Sequence, residues 1–313
     1  MTEPITIRFG GYQGPQSVHT RGGRALGQYL HEELGDAVNF IFDENIVERG
    51  QKAADLLTMV ESGELDGCYF SSSYLAGRVP ELGVFDQHFM VPDRASAYAI
   101  LDGELGRELA RCVAAGTGYC VMDFWDNGFR HISTANRVIT SPQDCKGLTI
   151  RTLANEDHKA LFRTLGFEPH AIDVRDLPAA VADGTVDAQE NPLTNIYNFR
   201  LHDTHRHISL TGHLLGVALA LFNRQHVEAW PDYIREGVAR AMRKATLAQR
   251  QFAEEDDAIC TAKLRAEGVE VRDLTLQERN VFIEAVAPQI ARLRDRFDPK
   301  LVALFDKSLA RQS

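Results

Sequence analysis

The sequence predicts an α/β protein of two lobes. Three observations carry that expectation: strands alternate with helices in two separate series, the two series share a phrase at a fixed offset, and the last third holds one very long helical pattern. Alternation of this kind implies a sheet covered by helices on both faces. With 313 residues, 44% of them hydrophobic and 25% charged, the chain has the length of about two domains and the composition to bury a core in each.

The first series opens with ITIRFG at Ile5 to Gly10 as a strand, VHTRGGRALGQYLHEEL to Leu34 as a helix and VNFIF to Phe42 as a strand. A helix from Val47 to Ser62, a strand LDGCYF to Phe70, helical patterns between Arg94 and Ala115 and a buried strand YCVMDFW ending at Trp125 complete it. The second series has LTIR at Leu148 to Arg151, a helix from Asn155 to Leu165, EPHAI, a helix near Asp176 to Ala182 and a strand starting at Val186. The shared phrase is LLTMVESGELDG against LPAAVADGTVDA. In both, a helix stops at a glycine (Gly63, Gly184) and a strand is entered through an acidic turn (Asp66, Asp187), each pair 121 residues apart. That offset is too long for a solenoid and suits two lobes of like construction.

From Pro231 to Glu267 the pattern is helical without an internal proline, opened by Pro231 and closed by Gly268. A straight helix of that length reaches roughly 55 Å, longer than one lobe, so it is expected to be shared; the alternative is a break near Asp256 to Ala258. VEVRDL and three short helical patterns to Ala310 follow. No loose linker is present, so crossing strands are expected to join lobe I, residues 1–126 plus about 214–250, to lobe II, residues 127–213 plus about 251–313.

Charge narrows the function classes. There are 34 Lys and Arg against 44 Asp and Glu, a net charge of -10, with no basic run; nucleic acid and anionic membrane surfaces are poor partners. No apolar stretch approaches the roughly 20 residues of a membrane span, so no direct membrane insertion is expected. The opening MTEPITIRFG lacks the regions of a signal peptide, which leaves a cytoplasmic start or a removed leader. Cys68, Cys112, Cys120, Cys145 and Cys260 show no metal or redox spacing; buried thiols are expected, with a bridge between Cys112 and Cys120 as the alternative.

Signatures of catalysis are absent: no G-x-S-x-G, Walker A, H-E-x-x-H or G-x-G-x-x-G after a strand. His202, His205 and His207 in HDTHRH, with His213 beyond, form the best candidate metal cluster, which would suit a metal-dependent hydrolase or lyase. Arg206 within the cluster opposes a cation, and exposed turn histidines are the plainer expectation. Arginines at strand ends carry more. In KGLTIRT, alternation puts Arg151 where a strand leaves the sheet, and open α/β sheets bind ligands at that end. Arg130, in DNGFRHIS after Trp125, is expected to reach the same crevice. Two guanidiniums facing one cleft can grip a carboxylate in bidentate, charge-assisted bonds.

The runs NGFRHISTANRVITSPQDCKGLTIRT, LGFEPHAIDVRDLPAAVADGTVDAQENP and SLTGHLLGVALALFN, followed by the long helix, resemble the DctP-type solute-binding proteins of tripartite ATP-independent periplasmic (TRAP) transporters over essentially the whole chain. The resemblance implies a two-lobed periplasmic-binding-protein-like fold (type II-like) with crossing hinge strands and a long helix spanning both lobes. It also implies a non-enzymatic role: an organic acid is captured between the lobes and delivered to TRAP membrane permease subunits, in the periplasm. A cytoplasmic or sensor-associated binding protein is the alternative.

By motif, Arg151 matches the arginine that bonds the substrate carboxylate, Arg130 a second arginine that supports it, and Asn191 in QENP an asparagine that hydrogen-bonds the ligand. Tyr12 and Gln13 after the first strand, Tyr69 and Ser71 after LDGC, and Trp125 lie where the other lobe would contribute contacts. Thr152, Leu153 and Ala154 stand where the family often has Val-Pro, and Asp176, Leu177 and Pro178 where it often has Glu-Val-Tyr. Some relatives hold a keto acid through a metal with Glu-Trp at the place of Glu190 and Asn191; lacking that Trp, this chain is expected to use neither metal nor other cofactor.

Overall fold

In a computed structural model of the chain, residues 3–310 are described; Met1, Thr2 and 311–313, assigned above to the ends of the two lobes, lie outside them. The fold class is the expected mixed α/β. The described residues form nine strands interleaved with helices and divide into two compact units.

The first unit comprises the residues up to Ser72 together with Ala110–Asn127 and Val217–Asp256. Its parallel centre is strand β1 (Ile5–Gly10), flanked by β2 (Val38–Asp43) and β3 (Gly67–Ser71). Alternation in ITIRFG works as the sequence implied: Ile7 and Phe9 are fully buried while Arg8 faces out. The helix Val18–Leu34 starts because the Ser17 side chain accepts the Thr20 N–H, satisfying a donor that the first turn leaves open. The expected helix over Val47 to Ser62 is broken. Ile46–Arg49 is a single 3-10 turn ended by Gly50 at φ 83°, and the α-helix begins only at Asp55.

The second unit contains Ser73–Leu109, Gly128–Gly216 and the residues from Asp257 onward. Residues 73–109, which the sequence reading gave to the first lobe, group here because their partners are C-terminal. Arg94 pairs with Asp257, Lys300 with Glu108, and the Phe297 ring sits against Gly83. Strand β4 (Tyr119–Thr134) contributes its last residues, followed by β5 (Thr149–Thr152), β6 (Glu168–Ala171) and β7 (Ala188–Pro192). β5 lies parallel between β6 and β7, and β7 runs antiparallel to β4. A core of Ile132, Ile150, Leu161, Phe162, Phe282 and Val286 backs this sheet. Instead of three short C-terminal helices there are two, Leu276–Arg294 and Pro299–Ala310. Burial of Phe282, Val286, Ile290 and Leu293 along one face carries the first of them through Pro288, overriding the proline's local cost.

Elements with residues in both units include β4, β8 (His207–Asn223), the helix Glu104–Gly116 and the helix Asp232–Ala266. That helix is unbroken over 35 residues. Strand β9 (Glu270–Asp273) pairs with the start of β8.

The internal repeat has a physical content. Gly63 and Gly184 both adopt the left-handed conformation, at φ 79° and 76°, which favours glycine. Three residues later the acidic side chain takes a backbone donor from the neighbouring parallel strand: Asp66 accepts the Arg8 N–H (2.6 Å) and Asp187 the Thr149 N–H (2.9 Å). The same turn thus fixes β3 on β1 and β7 on β5. In this correspondence Arg151 occupies the position of Gly10, at the carboxyl end of its strand.

Candidate ligand-binding site

Arg151 stands on β5 opposite Gln189 of β7, so the two side chains share one face of the sheet, with Asn191 two residues further along that face. Although Arg151 is only 1% exposed, its guanidinium meets neutral groups alone: Nε donates to the Ile172 carbonyl (2.9 Å) and Nη2 to the Tyr74 hydroxyl (3.4 Å). Among the described residues it has no carboxylate partner. Taking a cation out of water is costly without a compensating anion, so this arrangement is suited to receive one. The segment carrying Tyr74 is held nearby by Asn155, whose Nδ2 donates to the Ser73 carbonyl (3.0 Å).

Arg130 differs. It is equally buried, but its guanidinium grips Glu190 through Nε to Oε2 and through Nη2 to Oε1 (2.8 Å). Its Nη2 also reaches Asn191 Oδ1 (3.3 Å). Burial would raise the Glu190 carboxyl pKa, yet the Arg130 charge and the hydrogen bonds from His213 and Arg130 hold it well below the ordinary value. Asn191 is engaged on both sides of its amide, donating to Gln189 Oε1 (2.6 Å) and accepting from Asn195 (3.4 Å). The structure therefore brings Arg130 and Asn191 together in one polar network and leaves Arg151 with a separate set of partners.

In the first unit, Tyr69 is wholly buried and its hydroxyl accepts the backbone N–H of Tyr12 and of Gln13, both at 3.1 Å. Burial pushes its pKa up to about 12. His19 stacks on Tyr69 and on Trp125, and Trp125 Nε1 donates to Thr246 Oγ1 (3.1 Å). These contacts fix the turn after β1. Ser71 is buried at the end of β3 opposite Ala218. Gln13 is 2% exposed and its Oε1 has no hydrogen-bond partner among the described residues, which marks it as an acceptor awaiting a donor.

The comparisons with known proteins agree with one another. The sequence matches the family described as DctP, bacterial extracellular solute-binding protein, family 7, over residues 22–296. The chain belongs to that family. A solute-binding protein of Verminephrobacter eiseniae is 34% identical over 238 residues, 76% of this chain and 70% of that one. Among solved structures, a TRAP periplasmic solute-binding protein from Polaromonas bound to D-erythronate is 25% identical, with TM-score 0.90 over 96% of this chain and 98% of that one. One from Sulfurospirillum deleyianum with bound succinate is 25% identical, with TM-score 0.88 over 99% of both chains. These neighbours are two-lobed binding proteins of transporters, and DctP-family membership makes this chain a ligand carrier, not an enzyme.

The histidine cluster accordingly dissolves into separate contacts. His202 meets the Ile196 carbonyl and Glu267, His205 meets Ser133, His207 meets Glu270, and His213 sits between Thr211 and Glu190. No group of three or more potential ligands able to hold a metal occurs among the described residues. Contrary to the expectation of exposed turn histidines, His202 and His205 are buried: the 3-10 turn Leu201–Asp203 and the start of β8 fold them inward. All five cysteines are thiols. Sequence reasoning missed Tyr74, three residues past Ser71, and missed Glu190 as the counter-ion of Arg130. It also missed the buried group of Asp86, His88 and His158, where His158 Nε2 lies 3.3 Å from Asp86 Oδ2 and the His88 ring lies 5.1 Å from both His158 and His213.

Proposed function

We propose that this DctP-family protein is the periplasmic receptor of a TRAP transporter, binding an organic acid by its carboxylate and presenting it to the membrane permease. The observation that carries this reading is Arg151, a buried guanidinium at the carboxyl end of a strand with no anionic partner among the described residues. Relatives named for or solved with D-erythronate and succinate support an organic acid as the class of ligand. In this reading Arg151 is the anchor, and its planar fork holds both carboxylate oxygens. Arg130 and Asn191, locked to Glu190, Gln189 and Asn195, keep the neighbouring strand in register and orient the ligand. Within the first unit, Tyr69 holds the turn after β1 through the Tyr12 and Gln13 N–H groups, and Tyr12, Gln13, Ser71 and Trp125 remain candidate ligand contacts of that unit. No helix among the described residues is long and apolar enough to cross a membrane, in keeping with a receptor that meets its permease from outside the bilayer.

A thermal-shift screen over organic acids tests the reading. A ligand at 100 times its dissociation constant stabilises the folded state by about 2.7 kcal/mol, a rise in Tm easily resolved. Arg151→Lys keeps the charge but loses the fork and is expected to abolish most of that rise; full retention would remove Arg151 as the anchor.

A further inference from the structure

We propose that the second unit holds a second small-molecule site, distinct from Arg151: a groove of about 470 Å³ beside the start of β8 that takes the carboxylate of a small acid with an apolar body. All of its lining residues belong to that unit, and the organic-acid reading above stands or falls without it.

His131 decides the matter. It lines the groove, is only 8% exposed, and accepts the Gly212 N–H at Nδ1 (3.0 Å). Gly212 adopts φ 49°, a conformation that favours glycine, so the contact is built into β8. A neutral imidazole that accepts at Nδ1 carries its proton on Nε2. Burial keeps the ring neutral, with its pKa lowered to about 3. The Gly212 contact is the ring's one hydrogen bond among the described residues, which leaves the Nε2 proton of a buried side chain in want of an acceptor. Around this donor, Leu193, Leu210 of β8, and Ala258 and Ala262 of the long helix supply apolar walls. They suit a hydrocarbon body, and the volume is ordinary for a small-molecule pocket.

Charge selects an anion. Asp257, the carboxylate in the wall, is held by Arg94 at 2.6 Å. Arg265 also lines the groove and reaches Asp273 only at 3.4 Å, with side chains 50% and 78% exposed, a weak pairing in water. Close to Gly212, Arg279 donates to the Thr211 (2.6 Å) and Gly212 (3.4 Å) carbonyls and lies 5.3 Å from the Phe89 ring. No carboxylate pairs with Arg279 among the described residues, whereas the nearby Arg272 is neutralised by Glu278 (2.7 Å). Arg94, Arg265 and Arg279 thus face two carboxylates, Asp257 and Asp273, and a bound anion restores the balance. Arg265 offers it charge-assisted donors, and His131 offers its free N–H.

The groove is not the Arg151 site. His131 and Arg151 share one face of the sheet, but Gln189 and Asn191 of β7 stand between them, and strand spacing with a two-residue offset puts their backbones about 12 Å apart. Neither Tyr74 nor Ile172, the partners of Arg151, lines the groove.

Isothermal titration of the full chain with hexanoate, benzoate and hexan-1-ol tests the proposal. In Arg151→Lys, which disables the first site, at least one of the two acids is expected to bind saturably with Kd below about 1 mM. Ala262→Phe fills the groove from an exposed position and is expected to weaken that binding at least about tenfold; Arg265→Gln is expected to weaken it by about the same factor. Hexan-1-ol is expected to bind at least about tenfold more weakly than hexanoate, since it brings no charge. Absence of saturable binding in Arg151→Lys would overturn the second site and leave the Arg151 reading intact. Binding that Ala262→Phe leaves unchanged would place the acid elsewhere and overturn it as well, and an alcohol that binds as tightly as the acid would overturn the assignment of a carboxylate.

Discussion

Arg130 and Glu190 form a buried ion pair in the interior of the second unit. Both are buried, and each is the other's compensation. Arg130→Ala is expected to cost about 3–5 kcal/mol, because it strands a buried carboxylate. Replacing both, as Arg130→Met with Glu190→Leu, is expected to cost much less. Urea denaturation of the two variants makes the comparison, and equal losses would show that the pair contributes by packing alone. Arg151 was legible in the sequence because alternation along KGLTIRT places it at a strand end. Its lack of a carboxylate partner among the described residues was not, since that depends on which carboxylates the fold leaves elsewhere. Glu190 lies 60 residues from Arg130, and nothing local couples them.

Among the elements, the glycine-then-aspartate phrase was the most informative part of the sequence, since each copy encodes a turn that clips one strand to its parallel neighbour. Thr149 supplies both its N–H and its hydroxyl to Asp187, and the hydroxyl contact chiefly lowers the Asp187 pKa. Asp187→Ala and Asp66→Ala are each expected to destabilise the fold by about 1–2 kcal/mol, measured by urea midpoint. A change within about 0.5 kcal/mol in either would mean that the aspartate contact does not hold its strand. The long helix was also readable, from its uninterrupted pattern and its flanking Pro231 and Gly268. Residues 73–109 were not, because their helices pack on Phe297 and pair with Asp257 and Lys300, partners that lie far along the chain. Gly50 stops the expected first-unit helix for a local reason: with φ at 83° the backbone turns away, and Asp55 restarts the helix by accepting the Lys52 N–H.

At the scale of the whole molecule, buried imidazoles set the response to pH. Burial lowers the pKa of His19 and His205 to about 4, of His131 to about 3, and lowers those of His88 and His213 as well. A ring that stays neutral in the folded chain but accepts a proton near pH 6.5 when unfolded stabilises the fold above that pH. The contribution is lost as pH falls below 6.5, at no more than about 1.4 kcal/mol per pH unit for each ring. Glu190 acts in a lower window: with its pKa depressed, its contribution is present above about pH 4.5 and fades beneath it. Stability is therefore expected to fall steeply between pH 6.5 and 5, and a Tm flat across that interval would contradict the buried-neutral assignment.

The most direct test of the account is a crystal structure of the chain with the best ligand of the organic-acid panel. The account predicts a carboxylate held by two parallel N–H···O bonds from Arg151, each about 2.7–2.9 Å, with Arg130 still paired to Glu190. A carboxylate bound elsewhere, with Arg151 still bonded only to Tyr74 and the Ile172 carbonyl, would contradict it.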